Sequence, residues 1–387
     1  MSQYSIVFLD SDARDFPILF KSARTWVADE LATLSLDICE DISSVDSEHI
    51  LLLGAACPEV TADQYRKLLD VHVAIGADIT VLAAKSLTGG ILRNADNEIS
   101  SLFGGKDTAA LPIAAVRSEL VRGKTFPELL AGIDDLICSG ASVEVVEIEP
   151  VITVTDPAAA YAAQKQLCKR INFSHIANGV QIFDPENVYI APDAMIGRGT
   201  VILPGTIIRE GCKVGEGCTV GPNTILEKAN IGDRTSVNSS QVYESSVGSD
   251  ATVGPFAYIR PDCVVGDHTR IGDFVELKKA KIGNGTKVSH LTYIGDAEVG
   301  ERVNFGCGTV VVNYDGYHKN KTIIGDDCFI GCNTNLVSPV ELGDRVFTAA
   351  GSTVTEYVPD GALTIARARQ TNIDGWNDRR REKMGKK

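Results

Sequence analysis

The chain has 387 residues, a formal net charge of −14 and ordinary fractions of apolar (44%) and charged (23%) residues, which indicate a soluble globular protein long enough for two domains. It contains no uncharged apolar window of about 18 residues, so we expect no membrane span, and the negative charge argues against nucleic acid as a partner. The ten cysteines show no C-x-x-C pair and no Cys/His zinc spacing, so we expect no metal site.

Residues 1–150 have the pattern of an α/β domain. The opening MSQYSIVFLDSD lacks a basic region before an apolar run, so we expect no signal peptide and a cytoplasmic protein. The segments Tyr4–Leu9, Ile50–Leu53 and Ile79–Ala83 are predicted strands, and Ala62–Ile75 is a predicted amphipathic helix. Their alternation predicts a parallel sheet covered by helices.

A single helix is predicted to connect the two domains, within residues 155–180. Asp156 is a suitable N-cap residue, and Pro157 suits the first helical position. The helix should run from Ala158 to about Ile176 and end at Gly179.

A hexapeptide period governs residues 181–358. An aliphatic residue begins each unit, Gly usually follows, and a small or β-branched residue takes the fifth place. The aliphatic–Gly pairs begin at Ile196, Val214, Val220, Ile231, Val247, Val253, Val265, Ile271, Ile282, Ile294, Val299, Ile324, Ile330 and Leu342. This period predicts an all-β domain of short strands coiled into a parallel β-helix, with turns of about 18 residues.

Four cysteines, Cys212, Cys218, Cys263 and Cys328, fall at the small fifth place of the repeat. We expect them to be buried thiols that act as small apolar side chains in a reduced cytoplasm.

The period is broken once, by NYDGYHKNKT at residues 313–322. A loop that interrupts a coil lies outside it and usually maps to the binding face, with a tolerated surface loop as the alternative. Its polar residues include Asn313, Tyr314, His318, Lys319 and Lys321. The tail, residues 359–387, follows with a basic end.

Candidate chemistry is concentrated between Arg260 and Thr309. Arg260 can hold a phosphate bidentately, and Lys278 follows it by 18 residues, so both should project from one wall. His290 takes the second place of its unit in this frame, so it should point outward as a general base rather than pack in the core. Tyr293 and Asn304 follow it.

A zinc site of the carbonic anhydrase type is the alternative for these histidines, and it needs three of them. The coil offers His268, His290 and His318, and the last lies in the interrupting loop. We therefore favour the general base, with an ordinary surface histidine as the alternative.

Longer motifs resemble a known family. VGPFAYIRPD, GDFVELKKAKIGNGTKVSHLTYIGDAEVGERVNFGCGT, VNYDGYHKNKTIIGDD and QTNIDGW resemble the bacterial bifunctional family that joins a glucosamine-1-phosphate N-acetyltransferase to an N-acetylglucosamine-1-phosphate uridyltransferase. The resemblance runs from about Val151 to Trp376. It implies a left-handed parallel β-helix, a homotrimer with active sites between subunits, acetyl-CoA as co-substrate and no metal for acetyl transfer.

The resemblance also implies roles for individual residues. His290 would be the catalytic base that deprotonates the amine of glucosamine 1-phosphate. The residues implied in sugar-phosphate binding are Arg260, Lys278, Tyr293, Asn304, Asn313 and Lys319, with Glu276 as a supporting carboxylate. Those implied in coenzyme A contacts are Tyr314, Cys307, Cys332, Ala350 and Arg367. The expected product belongs to the synthesis of UDP-N-acetylglucosamine, a cell-wall precursor.

Some positions depart from the family pattern. Cys307 stands where the N-x-G-A-G motif has Ala, and Cys332 stands where Ser is usual. Both are small, so we expect the pocket to survive with altered coenzyme contacts. In the tail, Ala368 and Arg369 replace Val-Pro after Arg367.

The N-terminal domain departs further. The family's L-x-x-G-x-G-T-R-M loop corresponds to DSDARDF at residues 10–16, which has three aspartates and no glycine. Its G-D-x-P-L turn corresponds to GAACP at residues 54–58, without the metal-binding Asp. We expect a degenerate nucleotidyltransferase-like sheet without uridyltransferase activity.

Two other functions remain open. The same coil could act on another aminosugar or on a nucleotide sugar, or it could be a non-catalytic trimeric scaffold. The scaffold is disfavoured because the polar set around His290 is intact in one chain.

Overall fold

The computed structural model describes residues 4–8, 16–39, 45–85, 91–95, 98–102, 108–121 and 134–385. The chain divides into two compact units, residues 1–171 and 172–387. Leu9 and residues 10–15 of the predicted degenerate loop lie outside the described residues. Within the described part of the chain, the helices are too short or too polar to cross a membrane.

The first unit is built on a six-stranded sheet. Its strands in chain order are β1 (Tyr4–Phe8), β2 (Pro17–Ile18), β3 (Lys21–Ser22), β4 (Asp37–Cys39), β5 (His49–Leu53), β6 (Ile79–Lys85), β7 (Leu92–Arg93), β8 (Ile99–Ser101), β9 (Thr108–Arg117) and β10 (Val143–Ile148). Its helices are α1 (Ala23–Ala32), α2 (Ala62–Ile75) and α3 (Ser118–Val121). The sheet order is β10-β6-β9-β5-β1-β4, and β2–β3 and β7–β8 form small separate pairs.

The predicted elements β1, β5, β6 and α2 are confirmed, but the prediction of a parallel sheet is wrong for one strand. β9 lies between β5 and β6 and runs antiparallel to both. A parallel connection needs a crossover of a dozen or more residues, usually a helix. The described residues between β6 and β9 form the β7–β8 pair instead.

A histidine pair is buried in this unit. His72 of α2 is 0% exposed. Its Nδ1 lies 2.9 Å from Thr80 Oγ1, and its Nε2 lies 3.2 Å from His49 Nδ1 on β5. Burial, followed by the charges of His49 and Arg117, lowers the pKa of His72 from 6.5 to about 4, and burial lowers the pKa of His49. Both imidazoles are therefore neutral in the folded unit at neutral pH.

This pair predicts that the first unit loses stability in acid. Between pH 6.5 and about 4, the unfolded chain binds a proton at His72 and the folded chain does not. The contribution of neutral His72 to the free energy of unfolding is therefore complete above pH 6.5 and decreases as the pH falls below that value. The shift corresponds to a loss of about 3 kcal/mol. Urea unfolding followed by the fluorescence of buried Trp26, in a Trp376→Phe background, measures it.

The control for this prediction is His72→Gln, which keeps hydrogen-bonding capacity without titrating near neutral pH. We expect a flatter dependence of the free energy of unfolding on pH in this variant. Equal slopes in the variant and its parent would contradict the assignment to His72.

The predicted helix is present as α4 (Pro157–Ala177), and the division between the two units falls within it, after Ile171. Asp156 Oδ1 accepts the N–H groups of Ala158 and Ala159 at 2.8 Å, as expected of an N-cap. Gly179, with φ 92°, ends the helix in the left-handed conformation that glycine adopts without strain.

The second unit is a parallel coil with three walls. Wall A contains Gln181–Ile182, Val201–Ile202, Thr219–Val220, Ser236–Val237, Thr252–Val253, Arg270–Asp273, Lys287–His290, Asn304–Phe305, Phe329–Ile330, Phe347–Thr348 and Leu363–Thr364. Wall B contains Tyr189–Ile190, Ile207–Ile208, Ile225–Glu227, Gln241–Tyr243, Tyr258–Ile259, Glu276–Lys278, Tyr293–Gly295, Val310–Val312, Asn335–Val337 and Thr353–Val354. Wall C contains Met195–Ile196, Lys213–Val214, Asn230–Ile231, Ser246–Val247, Val264–Val265, Lys281–Ile282, Ala297–Val299, Thr322–Ile324 and Val340–Leu342.

A short 3₁₀ helix (Pro185–Asn187) lies near the start of the coil, and helix α5 (Trp376–Lys383) lies in the tail. The predicted parallel β-helix is confirmed, while its left hand stays a prediction.

The interior of the coil follows the hexapeptide period. The leading aliphatic residues, such as Leu277, Val288 and Ile294, are 0% exposed, and each such burial contributes about 1.5–3 kcal/mol. Buried hydroxyls at the fifth place bind the next turn, as Thr286 does when its Oγ1 donates to the carbonyl of Gly300 at 2.9 Å. This bond satisfies a backbone oxygen that the tight turn would leave unpaired.

The four cysteines at the fifth place are buried and free, as predicted. Cys218 and Cys328 each donate from Sγ to a carbonyl oxygen of the next turn at 3.1 Å. Burial raises the pKa of Cys212 to about 11, so this thiol stays protonated at neutral pH.

Candidate active site

Wall B carries the cationic part of the site. Ile259 pairs with Leu277, so Arg260 and Lys278 follow on adjacent strands of one wall, as their spacing predicts. Arg260 Nη1 donates to Glu276 Oε1 at 2.8 Å, with both side chains more than a third exposed. The carboxylate holds the guanidinium in place and leaves its other N–H groups available to an anion.

A polar cluster forms one turn further along this wall. Lys278 Nζ lies 3.7 Å from Asp296 Oδ2, and the buried Asn313 donates to the same carboxylate oxygen at 2.5 Å. A Cβ at Gly295 would lie 2.4 Å from the hydroxyl of Tyr293 and 2.8 Å from Asn313 Nδ2. Glycine at this position therefore makes room for both groups beside Lys278.

The interrupting loop returns to this cluster. A bridge between Tyr314 and Lys319 closes it, and Asp315 Oδ1 accepts the N–H groups of Tyr317 at 2.8 Å and His318 at 2.6 Å. Contact with the Lys319 ammonium lowers the pKa of Lys278, because two positive charges disfavour each other. Two ammonium groups held this close repel each other, so a phosphate bound to both would stabilise the pair.

The candidate base lies at the corner that ends wall A. His290 Nδ1 lies 2.6 Å from Asp273 Oδ1 on the adjacent turn, and the imidazole is 59% exposed. The hydrogen bond holds the pKa of Asp273 below its usual range. The carboxylate thus orients the ring through Nδ1 and leaves Nε2 free to accept a proton.

The predicted position of His290 within its hexapeptide is wrong by one. Val288 is the buried residue that begins this unit, so Ser289 takes the usual glycine place and His290 the third. The frame was ambiguous because this unit lacks the aliphatic–Gly pair. The prediction that His290 points outward is confirmed.

The same corner carries a row of side chains that we call the base column: Asp273, His290, Cys307, Cys332 and Ala350. The register places them on consecutive turns, since Ile271 pairs with Val288, Val288 with Phe305, Phe305 with Ile330 and Ile330 with Thr348. Cys332 and Ala350 are exposed and Cys307 is half-buried. Three residues implied in coenzyme contacts therefore continue the row that begins with the His290–Asp273 pair.

The remaining predicted site residues lie around these two groups. Asn304 is half-buried on wall A, paired with Lys287 and Phe329. Tyr314 is 56% exposed in the loop. Arg367 is exposed, and its Cδ would lie 3.7 Å from a Cβ at Gly351, next to Ala350.

Two carboxylates, Asp273 and Asp296, are the site residues that sequence reasoning missed. Each lies about one turn from a predicted site residue: Asp273 is 17 residues before His290, and Asp296 is 18 residues after Lys278. That spacing is the signal that could have found them. In the described part of the chain, no group of three or more His, Cys, Asp or Glu residues could hold a metal ion.

Comparison with protein families supports the repeat architecture. Residues 185–249 match the GMPPB C-terminal domain. Residues 244–279 and 321–356 match the bacterial transferase hexapeptide family of six repeats.

Curated relatives extend the similarity to the first unit. The chain is 55% identical over 239 residues to the "Bifunctional protein GlmU" of Clostridium perfringens (strain SM101 / Type A), a match that covers 62% of this chain and 53% of that protein. It is 43% identical over 358 residues to the GlmU of Clostridium acetobutylicum, covering 86% of this chain and 78% of that protein. The GlmU of Shouchella clausii is 41% identical over 363 residues, with coverage of 87% and 79%. The strongest of these matches thus spans about half of the relative's length.

Proposed function

The chain belongs to the family of the bifunctional protein GlmU, and from that premise we propose that its coil transfers the acetyl group of acetyl-CoA to the amine of glucosamine 1-phosphate. The product would be N-acetylglucosamine 1-phosphate, an intermediate in the synthesis of UDP-N-acetylglucosamine. The observation that carries the proposal is the His290–Asp273 pair, which offers a free Nε2 at the corner next to a cationic wall.

The proposed reaction uses each part of the site. The sugar phosphate binds Lys278, Lys319 and Arg260, whose charges match a phosphate dianion. The amine nitrogen attacks the thioester carbonyl carbon while His290 Nε2 accepts an amine proton. The C–S bond then breaks, the coenzyme leaves as a thiolate that takes up a proton, and the amide remains. Asp273 stabilises the imidazolium that forms.

The direct test is release of free coenzyme A thiol from acetyl-CoA. We expect release that depends on glucosamine 1-phosphate and is much slower with glucosamine, glucosamine 6-phosphate or UDP-glucosamine. Preference for UDP-glucosamine would identify a nucleotide sugar as the acceptor. No release with any of these amines, from a protein that keeps its fold, would leave the non-catalytic scaffold.

We also propose that the chain is a homotrimer of the cytoplasm with active sites between subunits. Phe256, Phe274 and Leu291 occupy one corner on consecutive turns, each more than half exposed, and the two phenylalanine rings stack at 5.5 Å. Phe274 and Leu291 directly follow Asp273 and His290. A second subunit packed on these side chains would lie beside the base column.

Sedimentation equilibrium tests the trimer. We expect a trimer of the wild-type chain at micromolar concentration and dissociation in the double variant Phe256→Glu/Phe274→Glu. Tyr317→Glu is the control, because Tyr317 is 89% exposed in the loop. A monomeric wild type would contradict the proposal.

The first unit, by contrast, is proposed to lack uridyltransferase activity. Its turn at residues 54–58 has no acidic side chain, and Cys57 of that turn is buried beside Thr153, with Sγ and Oγ1 3.5 Å apart. An assay with UTP, magnesium and N-acetylglucosamine 1-phosphate should show no turnover. Turnover that point changes in this unit abolish would overturn the proposal.

A further inference from the structure

Cys307 and Cys332 are direct neighbours on consecutive turns of the base column. Phe305 pairs with Ile330, and the N–H of Asn333 donates to the carbonyl oxygen of Cys307 at 2.8 Å. The backbones of the two cysteines are therefore held side by side, although the interrupting loop separates them along the chain.

The separation suits a covalent bond between the two sulfurs. Adjacent strands lie about 4.8 Å apart, and disulfides join residues whose Cα atoms are about 4.4–6.8 Å apart. Cysteines at the same place of adjacent turns thus lie at about the backbone separation that a disulfide spans.

Exposure distinguishes this pair from the other coil cysteines. All ten cysteines are free thiols, but Cys212, Cys218, Cys263 and Cys328 are buried. Cys332 is exposed and Cys307 is half-buried. Thiol exchange requires access to the sulfur, so the coil presents its accessible thiols together at one corner.

We propose that Cys307 and Cys332 form a dithiol modification site that reacts with low-molecular-weight disulfides. The thiolate of the exposed Cys332 attacks one sulfur of the small disulfide, forming a mixed disulfide and releasing one thiolate. The thiolate of Cys307 then attacks Cys332 Sγ and releases the second thiolate. The two cysteines are oxidised to an intrachain disulfide, and the small disulfide is reduced to two thiols.

The modification would affect the proposed acetyl transfer because the two cysteines lie close to His290. Cys307 is one turn from His290 in the base column, so a disulfide here changes the surface that faces the base. We expect the oxidised protein to transfer acetyl groups more slowly and a dithiol reductant to restore the rate. This last consequence rests on the proposed function, whereas the thiol chemistry does not.

The experiment uses two probes on the full-length chain. Phenylarsine oxide, which binds two adjacent thiols, should bind the wild type tightly and lose that binding in Cys307→Ala and in Cys332→Ala. Alanine suits this place because Ala350 occupies it on the next turn. Cys138→Ser, which removes an exposed thiol elsewhere, is the control and should bind as the wild type does.

Oxidised glutathione is the second probe. Mass spectrometry should find a peptide that links Cys307 to Cys332 and a mass lower by two hydrogens, while each alanine variant should keep glutathione as a stable mixed disulfide. Equal arsenical binding in the wild type and both variants, or a stable mixed disulfide at Cys332 of the wild type, would overturn the proposal. These readouts need no acetyl transfer, so their failure is distinct from failure of the proposed activity.

Discussion

Replacing His290 with alanine is expected to lower kcat for acetyl transfer by about 10²–10⁴-fold, the usual contribution of a general base. KM for both substrates should change little, because Arg260 and Lys278 on wall B and Lys319 in the interrupting loop are untouched. His290 is 59% exposed, so its removal should leave the stability of the coil within about 0.5 kcal/mol. Thiol release under saturating substrates measures the effect.

The matched control is His268→Ala. His268 is 70% exposed and lies 4.0 Å from a carboxylate of its own, Asp250, so it resembles His290 in setting. It should keep the wild-type rate. An unchanged kcat in His290→Ala would remove the assignment of the base.

Asp273→Asn tests whether Asp273 positions His290, because the variant keeps the imidazole and changes only its partner. The amide keeps the size of the carboxylate but not its charge, so it favours the imidazolium less. We expect a lower kcat, by a smaller factor than for His290→Ala, and little change in KM for either substrate. An unchanged kcat would mean that Asp273 has no part in positioning the base.

Replacing Lys278 with methionine is expected to raise KM for glucosamine 1-phosphate about 10–100-fold, since a hydrogen bond to a charged group contributes about 1.5–3 kcal/mol. Lys278 is 13% exposed and faces Asp296 and Lys319. A phosphate bound there would therefore exchange contacts with water for contacts with two ammonium groups. The variant should also discriminate less between phosphorylated and unphosphorylated glucosamine. Steady-state kinetics with both acceptors checks this.

The adjacent Lys279 provides the control. It lies at a corner with φ 46°, it is 55% exposed, and its Nζ is 3.9 Å from Asp262. Lys279→Met should change KM by less than about threefold, the weak effect typical of exposed ion pairs. Equal effects at both positions would point to general attraction of anions and not to a phosphate subsite.

The coil was predictable from sequence because each hexapeptide begins with an aliphatic residue that points into the coil. Leu277 and Ile294 are apolar at the required interval, and the pairing of Arg260 with Lys278 follows from it. The carboxylates Asp273 and Asp296 were missed because an aspartate at a turn is usual there. Their partners became evident only when adjacent turns were paired.

The first unit was less predictable. The local pattern predicts β1, β5, β6 and α2, but the direction of β9 depends on the connection that precedes it. The buried contact between His49 and His72 joins a strand to a helix, and sequence periodicity does not predict such a pair.

The interrupting loop leaves the register of the coil intact. Asn304 pairs with Phe329 on one wall and Val310 with Asn335 on the next, as if the extra residues were absent. We therefore expect the framework to tolerate mutations that lengthen or shorten residues 313–322, whereas such mutations would reposition Lys319. Natural selection could adjust acceptor preference in such a lineage by small insertions and deletions, with the inherited scaffold unchanged.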